Sequence, residues 1–114
     1  MMELNNTEPM ITVDIGRHRI RIHRSTLARL GNPAFVRLLV NPDRKGIVVE
    51  GCSETTKGAY RLISNHSKEV YSQTLIAEIS SCAGFGQRRS VKLAGKQIQG
   101  QCAVFFRLDQ ECDP

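Results

Sequence analysis

Tryptophan is missing from this 114-residue chain, and four Phe with two Tyr are its only aromatic residues. The core must therefore rest on Ile, Leu and Val. The aromatics do not interleave with the arginines, which argues against a stacking platform for single-stranded nucleic acid. No apolar run approaches the roughly eighteen residues of a membrane helix, so no membrane partner is expected. The opening MMELNNTEPM has neither a basic n-region nor an apolar h-region, so no secretory signal is expected and the cytoplasm is the default. Cys52, Cys82, Cys102 and Cys112 contain no C-x-x-C pair, which argues against structural zinc, and nothing marks an oxidising compartment. Cys82 and Cys102 read as small core residues and Cys112 as an exposed thiol.

Catalytic signatures are also lacking. No P-loop, nucleophile elbow, kinase set or metalloprotease motif occurs. Gly84-Phe85-Gly86 follows a predicted helix, whereas phosphate cradles precede one. Asp109, Glu111 and Asp113 crowd a tail that cannot hold catalytic geometry, and Glu50, Glu54, Glu69 and Glu78 are scattered. His18 and His23 are expected on opposite strand faces, and His66 falls in a polar loop, so no chelating pair forms. An enzyme, a metal site and a cofactor are not expected.

What the chain does have is charge asymmetry. Its net charge is +5, yet residues 16–46 carry eight Lys/Arg against Asp43 alone, a local +7 that leaves the remainder at −2. Alternation of Ile11, Val13 and Ile15 with polar residues predicts a strand over 10–15, and a Gly16-Arg17 type II′ turn leads to a second over 18–23. Ile20 and Ile22 then share one face with His18, and Arg19 and Arg21 share the other with His23. Ser25 is the expected N-cap of a two-turn helix carrying Leu27 and Leu30 and stopped by Gly31. A hairpin over 35–40 and 47–50 turns through 41–46.

The second half repeats this order. A short strand over 60–63 precedes a helix capped by Ser72, with Leu75, Ile76, Ile79, Cys82 and Ala83 on one face and Gly84 as its stop. A strand over 88–93, a turn at Gly95-Lys96 and a strand over 101–108 follow. The expectation is one α+β domain: a predominantly antiparallel sheet with two helices on one face. It divides into a loose arm (1–9), a basic half (10–51), a second half (59–108) and an acidic tail (109–114). The two halves read as a possible duplication of a β-α-β-β unit, an arrangement that looks like the TATA-binding-protein-like architecture.

Residues 20–51, IRIHRSTLARLGNPAFVRLLVNPDRKGIVVEG, resemble the AbrB/SpoVT-type swapped-hairpin DNA-binding module of bacterial transition-state regulators and antitoxins. The resemblance lies in the basic strand Ile20-Arg21-Ile22, the short helix with Leu27, Leu30 and Gly31, the strand ending at Val40 and the return Ile47-Val48-Val49. His23 stands where that family has Pro, Ala34-Phe35 where it has Gly-Asp, and the 41–46 loop is long for its hairpin. The resemblance implies a homodimer, with Arg19, Arg21 and Arg24 facing DNA. Independently, an arginine every second strand residue, about 6.6–7 Å apart, can follow a phosphate backbone. The expected function is non-enzymatic nucleic-acid binding or transcription regulation through Arg17, Arg19, Arg21, Arg24 and Arg29. The alternative is a protein-interaction or structural module whose basic strand meets an acidic partner or its own copy.

Overall fold

Alternating Ile and Val build the first hairpin. The computed structural model describes residues 8–62, 68–85 and 88–109. In it β1 (Met10–Asp14) and β2 (Arg19–Ile22) bury Ile11, Val13, Ile20 and Ile22 and turn Thr12, Asp14, Arg19 and Arg21 outward. Helix α1 (Arg24–Arg29) follows, then the hairpin β3 (Phe35–Asn41) and β4 (Gly46–Cys52). The short β5 (Tyr60–Arg61) and β6 (Lys68–Tyr71) precede α2 (Gln73–Cys82), and β7 (Ser90–Gln97) and β8 (Ala103–Arg107) complete the order.

All eight strands join one antiparallel sheet, ordered β5-β3-β4-β8-β7-β1-β2-β6. The fold is therefore α+β with an antiparallel sheet, and that sheet curls nearly into a barrel. α1 packs against β1 and β8, and α2 against β2 and β3. Leu27 from α1, Leu30 at its C-cap, and Leu75, Ile76 and Ile79 from α2 enter one core with Val36, Ile47, Val49, Leu93 and Phe106. Burying each such side chain contributes about 1.5–3 kcal/mol. The one buried polar side chain among the described residues, Thr26, donates its hydroxyl to the Met10 carbonyl at 2.7 Å.

The curl depends on β7. Residues 90–94 of that strand pair with β1, whereas Gly95, Lys96 and Gln97 pair with β8. Gly95 sits at the handover: a Cβ there would lie 2.6 Å from the Phe106 ring and 2.7 Å from the Phe105 carbonyl oxygen. A glycine inside a strand commonly marks such a close approach.

Several local expectations change. The first hairpin closes through a 3-10 turn, Ile15–Arg17, with His18 left-handed at φ 54°, so the Gly16-Arg17 two-residue turn does not form and His18 leaves the strand face. The N-cap of α1 is His23, without a side-chain cap bond, and Ser25 lies inside the helix. Ser72 does cap α2, its hydroxyl accepting the Leu75 amide at 3.1 Å. Gly95-Lys96 is strand; the β7–β8 connection carries Gly100 at φ 78°. β6 is a strand where no element was expected. Cys102 is exposed, and Cys82 is half-buried against the core. The arm and tail lie outside the described residues apart from Glu8, Pro9 and Asp109, as do His66, Gly86 and Cys112.

Candidate nucleic-acid interface

Strand pairing decides which charges become neighbours. Thr12 of β1 stands opposite Arg21 of β2 on one side and Lys92 of β7 on the other. Arg21 and Lys92 are thus two strands apart, about 9.5 Å, on the outward face. The next row places Asp14 between Arg19 and Ser90. Across β2, Tyr71 of β6 faces Arg19 and Glu69 faces Arg21. The outer surface of β6, β2, β1 and β7 is therefore a polar field with Arg19, Arg21 and Lys92 against Asp14 and Glu69.

Arg19 points outward as expected, but its guanidinium is enclosed by partners. Nε donates to Asp14 at 2.9 Å, and one terminal nitrogen donates to Glu69 at 3.0 Å and to the Tyr71 hydroxyl at 3.3 Å. Its side chain is only 12% exposed. Hydrogen bonds to Tyr71 and Asp14 deepen its preference for the charged form. Burial disfavours ionised Glu69, yet the Tyr71 hydrogen bond and the Arg19 and Arg21 charges outweigh it and hold the carboxyl below its usual range. Arg19 consequently braces the hairpin against β6 and offers little charge to a ligand.

The remaining arginines divide. Arg21 lies 3.4 Å from Glu69 and keeps 40% of its side chain exposed. Arg17 is exposed in the 3-10 turn, and Arg24 is exposed at the start of α1. Arg29 is half-buried and engaged within the fold, and its carbonyl accepts Gln97 at 3.1 Å. Sequence reasoning missed two cations. The Arg89 carbonyl accepts the Ile15 and Gly16 amides at 2.8 and 3.2 Å, and its guanidinium lies against Gly16, next to Arg17. Lys92 is the other; the alternation Ser90-Val91-Lys92-Leu93 marked it as outward, but only the ladder with β1 puts it beside Arg21.

His23 lies on the same face, its Nε2 2.7 Å from the Thr12 hydroxyl. Burial first, then the Lys92 and Arg21 charges, push its pKa below the ordinary histidine value. Among the described residues no His/Cys/Asp/Glu group is arranged to hold a metal, and no helix is long and apolar enough to cross a membrane. Comparison with known protein families, with curated proteins and with solved structures finds no match.

Proposed function

We propose that the chain is a non-enzymatic nucleic-acid-binding, transcription-regulatory domain that grips phosphates with the outward face of β2, β1 and β7. The observation that carries this reading is the register setting Arg21 and Lys92 on either side of Thr12. Arg17 and Arg89 extend the row at one end of β2, and Arg24 at the other. Arg19 acts as a positioning residue for the strand. Such a surface supplies phosphate contacts, which set affinity and register without reading sequence.

The pairing also favours a duplicated unit, in a barrel-like form. β4 pairs with β8 around Val48 opposite Phe105, and β2 pairs with β6 around Ile20 opposite Val70. Antiparallel pairing of equivalent strands is what a local twofold axis produces. On that relation Thr26 and Leu27 of α1 and Leu30 at its C-cap correspond to Leu75, Ile76 and Ile79 of α2, and all six are buried. β1 meets β7 and β5 meets β3, so the leading strand of each half pairs with the trailing hairpin of the other. This exchange suits the AbrB/SpoVT-type resemblance: one chain supplies both units, replacing the homodimer that the resemblance implies. Fold alone carries no function, so the charged face remains the argument.

Fluorescence anisotropy with labelled duplex DNA across a salt series tests the reading. Affinity should fall steeply, with a log–log slope of roughly −3 to −5 for about four to five phosphate contacts. Absence of binding at about 50 mM salt, or binding indifferent to salt, defeats it. The protein-interaction alternative draws on exposed Leu39 and Tyr71; sedimentation showing a dimer alongside absent DNA binding would select it.

A further inference from the structure

The curled sheet gathers on its outer surface residues that are far apart in sequence. Leu39, Val48, Phe105 and Lys96 stand directly opposite one another across β3, β4, β8 and β7. Leu39 is 43% exposed, and Val48 and Phe105 are half-buried. The Phe105 ring occupies the space over Gly46, where any Cβ would overlap it. Together with Asn41, Arg44, Gln97 and Ile98, the last three residues of that row line a shallow basin of about 560 Å³. Its floor is apolar and aromatic, its rim carries two cations and two side-chain amides, and among the described residues no carboxylate lines it.

That combination suits a flat aromatic group joined to an anion. A second copy of the chain suits it poorly, because Arg44 and Lys96 would face their own charge. We propose that the basin holds one nucleotide unit of a single-stranded nucleic acid, its base over Phe105 and Val48 and its phosphate between Arg44 and Lys96. The placement continues the basic face, since Lys92 and Lys96 leave the same strand about 13 Å apart. It rests on the nucleic-acid reading and extends it from phosphates to bases. Phe105 also supplies the aromatic neighbour of basic residues that the linear sequence does not show, because strand pairing alone brings β8 beside β7 and the 41–46 turn.

The full chain is titrated with a labelled oligothymidylate of about twelve nucleotides and with a labelled duplex. Phe105→Leu should weaken single-strand binding roughly tenfold, within the range of one lost base stack, and leave duplex binding nearly unchanged. The double variant Arg44→Glu/Lys96→Glu changes only exposed side chains, so it decides the matter even if Phe105→Leu folds poorly; it should weaken single-strand binding by roughly tenfold or more. If the double variant binds the oligothymidylate within a factor of about two of wild type, or wild type prefers duplex, the basin proposal is wrong. In that event, loss of binding in Arg21→Glu/Lys92→Glu still upholds the phosphate-gripping face. A wild-type chain that binds neither probe overturns both.

Discussion

The two halves of the molecule contribute alike to the interior and differently to the surface. Residues 10–52 supply Ile11, Val13, Ile20, Ile22, Leu27, Leu30, Val36, Leu38, Ile47 and Val49 to the core; residues 60–108 supply Leu62, Val70, Leu75, Ile76, Ile79, Ala83, Val91, Leu93, Val104, Phe106 and Leu108. On the outer face, however, Arg19 and Arg21 of β2 meet Tyr71 and Glu69 of β6. Burial constrains both halves because they close one core, whereas the outward positions are free to specialise. The first half contributes Arg17, Arg21 and Arg24 to the outer charge and the second adds Arg89 and Lys92, while Asp14 of the first half and Glu69 of the second hold Arg19.

The largest expected effect tests whether the core is shared. Phe106 is fully buried in β8 opposite Ile47 of β4, so Phe106→Ala should cost about 3–5 kcal/mol. Urea unfolding followed by far-UV circular dichroism should show one transition, shifted as a whole. Two transitions, with only the second half weakened, would mean that the halves are separate folding units.

The next effect concerns charge. Arg21→Glu/Lys92→Glu should lower duplex affinity by at least roughly tenfold and flatten the salt slope by about 2. The charge-matched control Lys57→Glu/Arg61→Glu, two exposed cations outside the β2-β1-β7 face, should change binding much less. Equal losses would show that net charge, not the β2-β1-β7 face, governs binding.

A smaller effect should appear when the second half's brake is removed. Glu69→Gln discharges the carboxylate shared by Arg19 and Arg21, so duplex affinity should rise several-fold, by about 3–10 times. The same change should cost about 1 kcal/mol of stability, because Arg19 loses a charged partner in a part-buried site. Unchanged affinity would mean that Glu69 does not compete with the bound phosphates for Arg21.

How much of this was legible in sequence follows from the range of the interactions. Period-two alternation located Ile11, Val13, Ile20 and Ile22, and turn chemistry located the 41–46 connection, because both signals are local. β6 escaped notice because Lys68-Glu69-Val70-Tyr71 has a single buried residue, Val70, too few to show a period. Gly95 looked like a turn residue because its real cause, the Phe106 ring, lies on another strand. The outward direction of Arg19 was readable; its enclosure was not, since Glu69 is 50 residues away. Arg89 and Lys92 joined the face only through the ladder between β7 and β1.

The smallest effect separates the halves by pH. His23 belongs to the first half, and its pKa is lowered from 6.5 by burial and by the Lys92 and Arg21 charges. The unfolded chain therefore binds this proton more readily. The neutral ring's contribution is complete above pH 6.5 and is lost as pH falls from there through the folded-state value. Glu69 belongs to the second half, and its pKa lies below 4.5 despite burial, through Tyr71, Arg19 and Arg21. Its contribution is complete above pH 4.5 and is lost as pH falls through its own folded-state value. Acidification should thus weaken the protein in two steps, the His23 step first. Urea midpoints measured from about pH 8 to pH 3 should show the upper step vanish in His23→Gln and the lower one shrink in Glu69→Gln. If His23→Gln instead removes the lower step, the two groups titrate as one network across β2, and the separation of roles between the halves fails at this face.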